Sequence, residues 1–420
     1  MAHIVILGAG SGGMPAAYEL RDRLGPEHEI TVVNERGLFQ FVPSNPWVAV
    51  GWRRRDEVTL DIPMHLARKG INFVVGRCER IDPAAGLLHL GNGDTLAYDH
   101  LVLTTGARFA FDQVPGAGPG GHTASVCTVD HAEAAYAQYL RLLEEPGPVL
   151  VGALPGASCL GPVYETACIL DTDLRRRGVR EHVPITLVTP EPYVGHFGLG
   201  GVAESQAMLE RELQARDIEW ITNARVSRVE PGQMQVQLCD ALGAPLLERS
   251  LPFAFSVTLP AFTGVTAVAA VEGLCDERGL VRVDAHQRSL AWPNIWAAGL
   301  CVSIPCAEPT PVPTAAPATG YMIESMVRAI VHNLEAVLSG AEPDHEAAWN
   351  AICLADLGDS GAALVALPQL APRRVAWMKK GKWVHMAKIA FEKYFMHKMK
   401  RGTPEPVYEK YILKMLGIER

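Results

Sequence analysis

No Cys-x-x-Cys pair occurs anywhere in the 420 residues. That absence removes the usual spacing of a structural zinc site and of a thioredoxin-like dithiol. The cysteines are Cys78, Cys127, Cys159, Cys168, Cys239, Cys275, Cys301, Cys306 and Cys353, and they lie too far apart in sequence for a secreted disulfide scaffold. Clustered metal-ligand spacing is also lacking, so no metal is expected. A long apolar run is missing too. The longest uncharged stretch, Leu251 to Val271, contains Pro252, Pro260 and Gly264 and reads as a buried strand and loop rather than a span. Overall positive charge is lacking: the net charge of −8 argues against nucleic acid as a general partner. The chain opens directly on MAHIVILGAG, a strand and its turn, and no secretory leader is expected.

What is present points to an α/β protein with more than one core. A length of 420 residues makes two or three domains the default. HIVILGAGSGGMPAAYEL reads as strand, glycine turn and helix, with Gly8, Gly10 and Gly13 in G-x-G-x-x-G spacing. The first glycine permits the tight turn, the second lets a pyrophosphate approach the backbone, and the third permits close helix–strand packing. The helix start offers unpaired N–H groups to the phosphates. The next strand, HEITVVNE, ends in Asn34 and Glu35, either of which could hold an adenosine ribose.

Later segments favour FAD over NAD at this site. DHLVLTTGARF (99–109) leads to Thr104, Thr105 and Gly106, and PNIWAAGL (293–300) ends in Gly299. Both resemble segments of two-dinucleotide-domain flavoproteins. In such proteins a second domain interrupts the first, so residues 1–110 and 275–340 are expected to form one FAD-binding domain. Residues 115–274 would form the inserted Rossmann-like domain and 341–420 a C-terminal region. Leu300 replaces the aspartate that usually follows the late glycine.

The inserted domain should carry a second fingerprint in PVLVGALPGASC. Gly152 fills its first position, but Leu154 occupies the second and would obstruct a pyrophosphate. A working NADH site is therefore not expected. Without it, thiols become the obvious electron source. Cys159 lies close to a helix start, which would lower its pKa.

Several long segments resemble sulfide:quinone oxidoreductases, in particular the bacterial class with three key cysteines. They include FQFVPSNPWVAVGW (39–52), SVCTVDHAE (125–133), GASCLGPVYE (156–165), EPYVGH (191–196), TPVPTAAPATGYMIESM (310–326), AICLADLGD (351–359) and GKWVHMAKIAFEKYFMHKMKRG. The resemblance implies an FAD enzyme that oxidises hydrosulfide to polysulfide or sulfur and reduces a membrane quinone. It implies that Cys159 and Cys353 form the redox pair, bridged by a disulfide or polysulfur chain. Hydrosulfide would open the bridge, and the Cys353 thiolate would attack flavin C4a. Cys127 would serve either as a flavin thioether or in sulfur transfer. His131, His196 and Glu165 match groups near the active centre and suit proton exchange. Phe41, Leu354, Phe391 and Tyr408 match positions around the quinone. Two departures stand out: Ala318 replaces a lysine common in the VPT…P segment, and Leu354 replaces an aromatic. The family also includes homotrimers.

The final stretch differs from the rest in charge. Residues 379–420 carry 11 Lys or Arg against four Asp or Glu, a charge of +7, which leaves −15 elsewhere. Helical spacing aligns Val384, Ala387, Phe391, Tyr394 and Phe395, with Lys382, Lys393 and Lys400 broadly opposite. The pattern suggests an amphipathic helix at a bilayer surface, and so peripheral membrane association. Other readings compete: a flavocytochrome-type sulfide dehydrogenase, a type II NADH:quinone oxidoreductase, or a non-enzymatic thiol–flavin sensor of sulfide or redox state.

Overall fold

The computed structural model describes residues 1–403. Its first layer is a five-stranded parallel sheet in the order Ile295–Ala297, His100–Leu103, His3–Leu7, Glu29–Asn34, Asn72–Val75. The strands are short and almost wholly apolar because both faces of a parallel sheet are covered. The helix Gly13–Arg23 packs beside Gly320–Leu338 over the sheet. Together they bury Ile4, Val5, Ile6, Val102, Met326 and Ile330.

A second parallel sheet has the order Ile218–Ile221, Ile185–Val188, Val149–Ala153, Phe255–Leu259. Its core is separate and includes Val149, Val151, Val163, Ile185 and Val257. The helix Gly161–Arg176 follows the strand Val149–Ala153 and is buried along most of its length. Two such parallel sheets, each entered through a strand, turn and helix, bear out the tandem Rossmann-like class.

A third, antiparallel sheet is formed by Ala351–Asp356, Gly361–Leu367 and Val375–Gly381. It presents Cys353 and Leu354 from its first strand. The C-terminal helix, Lys382–Arg401, packs against the first two of these strands. Its inward face differs from the expected one. Val384 and Phe395 are buried against the protein, and so are Lys388, Glu392 and Lys398. The charges are tolerated inside because they meet counter-charges. Lys388 pairs with Glu165, and Lys398 lies 3.2 Å from Glu324. Tyr18 also donates to the carbonyl of Met399 at 2.9 Å. Much of the apolar stripe is therefore consumed by internal packing. Among the described residues no helix is long and apolar enough to cross a membrane.

Candidate functional site

The three fingerprint glycines are needed for different reasons. Gly8 has φ +106°, and a Cβ there would lie 2.4 Å from the carbonyl of Thr104. A Cβ on Gly13 would lie 1.9 Å from the carbonyl of Gly8. At Gly10 a Cβ would meet nothing within 4 Å. The turn is thus closed at Gly8 by the Thr104 backbone and at Gly13 by its own, and it is open in the middle, over the start of the Gly13–Arg23 helix. That open cradle fits a pyrophosphate. The Thr104 hydroxyl donates to the Gly8 carbonyl at 2.8 Å and braces the turn. Asn34 uses its side-chain oxygen to accept from the Ala9 N–H at 3.1 Å, so it buttresses the loop. Glu35 stands exposed, 3.5 Å from Arg77. Thr105 is half-buried, and Gly106 and Gly299 adopt positive φ at the ends of the two neighbouring strands. The residues present fit FAD.

The second turn is built differently. Leu154 is buried in an apolar cluster with Leu150, Val188 and Val226. Its N–H donates to the carbonyl of Leu259 at 2.8 Å. Leucine therefore fills space at this turn that a glycine would leave open. Cys159 follows on the loop just before the helix Gly161–Arg176.

Cys127, Cys159 and Cys353 come from three distant stretches. Negative charge on Cys159 would oppose ionisation of both Cys127 and Cys353, which places it within electrostatic reach of each. Burial pushes Cys159 up to about 11 and Cys127 and Cys353 up to about 12. The lowered pKa expected for Cys159 at a helix start is thereby overturned. Desolvation of the thiolate outweighs the helix terminus. All nine cysteines carry free thiols in this structure.

A buried polar network lies beneath the Cys353 strand. Glu165, on the helix after Cys159, accepts the Asp356 N–H at 2.9 Å and pairs with Lys388. Asp356 ends the Cys353 strand; its carboxylate accepts from Trp47 Nε1 at 2.5 Å and lies 2.7 Å from His385 Nδ1. Glu392 accepts from Arg53 at 2.9 Å and from the Ser44 hydroxyl. Burial pulls Lys388 down to about 7, against the opposing pull of Glu392. Helical spacing alone did not single out Lys388, His385 or Asp356. The available signal was that Lys388 lies four residues from Val384, on the same helical face.

The two histidines occupy different surroundings. His131 packs beside Phe109 and Phe111 at ring distances of 6.0 and 6.3 Å. Its buried Nδ1 has no hydrogen-bond partner among the described residues. His196 is fully buried and uses both nitrogens. Nδ1 accepts from the Gly198 N–H at 3.1 Å, so Nε2 carries the proton toward Glu308, 2.9 Å away. Burial lowers both imidazoles, which holds them neutral. On the far side Phe41 is buried against Phe391 and Phe395, at 5.7 and 5.3 Å. Leu354 is partly exposed beside Cys353. Tyr408 lies outside the described residues. No three His, Cys, Asp or Glu side chains gather for a metal ion among the described residues.

Fold and site together define a two-dinucleotide-domain flavoprotein. Comparison with known proteins narrows this class. Residues 2–320 match the model of the pyridine nucleotide-disulphide oxidoreductases. The sulfide-quinone reductase of Aquifex aeolicus (strain VF5) is 36% identical over 98% of this chain and 94% of its own length. The crystal structure of the Aquifex aeolicus sulfide:quinone oxidoreductase superposes with a TM-score of 0.95 at 35% identity, over 100% of this chain and 96% of that one. NDH2 from Plasmodium falciparum shares the fold, with a TM-score of 0.72 at 14% identity over 95% of this chain and 96% of that one. The chain belongs to the sulfide:quinone oxidoreductase family, and it is an FAD-dependent oxidoreductase.

Proposed function

We propose that this chain oxidises sulfide through Cys159 and Cys353 and passes the electrons through FAD to a quinone. The observation that carries the reading is that Cys159, just after a second nucleotide turn filled by Leu154, lies within electrostatic reach of Cys127 and of Cys353. Residues 1–110 with 275–340 would hold the cofactor. The cradle at Gly8, Gly10 and Gly13 would take its pyrophosphate, Glu35 its ribose, and Thr105, Gly106 and Gly299 its remaining length. When bound, FAD supplies a two-electron store between thiol and quinone.

In the oxidised pair, hydrosulfide attacks the sulfur of Cys159. The bond to Cys353 breaks, a persulfide forms on Cys159, and Cys353 leaves as a thiolate that delivers its electron pair onward. Burial disfavours a resting thiolate, so cleavage of the bridge, rather than titration, produces this one. His131 presents an unpartnered Nδ1, and His196 reaches solvent through half-exposed Glu308. Cys127 serves sulfur transfer or flavin attachment. The lower end of the Cys353 strand rests on Glu165, Asp356 and Lys388, which keep it aligned. Phe391, Phe41 and Leu354 would line the quinone side. Exposed Lys379, Lys382, Lys393, Lys400, Trp383 and Met386 would meet a bilayer surface, in the homotrimer that resemblance implies.

Anaerobic mixing with sulfide should bleach the flavin, whereas NADH should not. A soluble quinone should then sustain turnover. Cys159→Ser and Cys353→Ser should each nearly abolish bleaching while retaining FAD. Bleaching by NADH alone would overturn the reading, and wild-type turnover in either serine variant would overturn the assigned pair.

A further inference from the structure

Cys159 and Cys353 lie near the starts of two elements that run side by side, the helix Gly161–Arg176 and the strand Ala351–Asp356. Their shared direction follows from where they touch. Glu165, early in the helix, accepts the Asp356 N–H at 2.9 Å. Further along the helix, the Thr172 hydroxyl donates to the Leu357 carbonyl at 3.5 Å, in the turn that follows the strand. Gly358 of that turn has φ +89°, and a Cβ there would lie 2.0 Å from Thr172 Oγ1 and 3.0 Å from the Cys168 carbonyl. The turn is therefore seated directly on the helix.

One guanidinium joins the two elements at this far end. Arg216 caps the C-terminal end of the helix Ser205–Ala215, and its side chain is 8% exposed. Nη1 donates to Asp171 at 2.9 Å and to the Thr172 hydroxyl at 3.0 Å, both on the helix that follows Cys159. Nη2 donates to Asp359 at 2.6 Å, on the turn after the Cys353 strand. Nε donates to Glu212 at 2.7 Å, and Glu212 also pairs with Lys380 on the third strand of the same antiparallel sheet. Asp171 is wholly buried and is held in turn by Arg175 at 3.0 Å and Arg180 at 2.7 Å. A planar fork can engage both elements at once, which the point charge of a lysine cannot do as well. Arg216 and Asp359 have no part in the reaction above.

We propose that Arg216 is a positioning residue for the redox pair: by joining Asp171 and Thr172 to Asp359, it fixes the Cys353 strand along the Cys159 helix and so sets the approach of the two sulfurs. The proposal rests on the sulfide-oxidising reading, which makes Cys159 and Cys353 that pair. A disulfide closes only when the two Cα atoms lie within about 7 Å and the side chains face each other. A slip of about 1 Å between the elements is therefore costly. Glu165 fastens the strand at one point, about which it can pivot. The Arg216 clamp adds a second point and removes the pivot. A buried ionic network of this kind adds little net stability, and its use here is to fix register.

The test uses the FAD-loaded chain and Asp359→Asn, a change at a side chain 64% exposed that leaves the buried part of the network in place. Protein is equilibrated anaerobically at fixed ratios of oxidised to reduced dithiothreitol, and the Cys159–Cys353 cross-link is counted by non-reducing peptide mapping. Closing it oxidises the two thiols and reduces one dithiothreitol disulfide, with no sulfide present. The closure constant should fall about tenfold in Asp359→Asn. Asp359→Glu, which keeps the carboxylate, should recover most of it, and Arg216→Lys, which loses the fork, should fall as well. In stopped-flow bleaching by sulfide, the limiting rate of Asp359→Asn should drop by a similar factor with the half-saturating sulfide concentration unchanged. Closure in Asp359→Asn equal to that of the native protein overturns the proposal, and a lowered thermal midpoint would then mark the network as a stability element only. If sulfide bleaches the native protein while closure is equal in both, the positioning role fails and the reaction stands. If sulfide bleaches neither protein while closure falls in Asp359→Asn, the reaction fails and the positioning role stands.

Discussion

At the scale of the residue, three thiols show how burial decides reactivity. A helix start near Cys159 favours its thiolate, yet the surrounding apolar side chains remove the water that a thiolate needs. The second effect wins and holds Cys159 near 11. Reduced enzyme should therefore react slowly with iodoacetamide at Cys159 near neutral pH. The rate should climb roughly tenfold per pH unit between pH 8 and 10 without a plateau. Peptide mapping by mass spectrometry checks this, and a plateau by pH 8 would restore the activated thiol. The sign for stability is the same. These acids have folded pKa values raised above the unfolded one, so their contribution is full below pH 9 and fades as pH rises toward 11. The identities of Cys127, Cys159 and Cys353 were legible through family resemblance. Their protonation was not, because it depends on neighbours from three distant segments.

At the scale of the element, the glycine turn separates folding from binding. Gly13→Ala drives a methyl into the Gly8 carbonyl and should destabilise the protein by about 2 kcal/mol or more. Gly10→Ala meets no protein atom and should leave apoprotein stability within about 0.5 kcal/mol. It should nonetheless weaken FAD binding at least roughly tenfold, because the methyl enters the pyrophosphate cradle. Thermal unfolding of apoprotein and fluorescence titration with FAD report the two effects, and equal apoprotein stability of both variants would contradict the assignment. This turn was legible because glycine spacing is local. The C-terminal helix was read less well. Apolar periodicity found Val384 and Phe395 but not the inward turn of Lys388 and Lys398. Their burial depends on Glu165 and Glu324, which helical spacing does not reveal.

At the scale of the whole molecule, charge is divided unequally. The last 42 residues carry +7 and the remainder −15. On the proposed reading, exposed lysines near Trp383 and Met386 would combine electrostatic with apolar attraction to an anionic bilayer. Membranes containing the protein should release it with mild detergent, and 1 M salt alone should release little. Complete release by salt, followed by immunoblotting, would refute an apolar component. The two nucleotide-fold halves were legible in sequence because each begins with a strand and turn of its own. The inward-facing final helix brings a different consequence, in time rather than space. A ribosome delivers Cys127 and Cys159 long before Cys353, and the helix bearing Lys388 only after all three. Until then Glu165 has no lysine beneath it, and the strand that carries Cys353 has no support. The three thiols can therefore be assembled only after synthesis has passed that helix, so a chain stalled before Cys353 would present two thiols without the third.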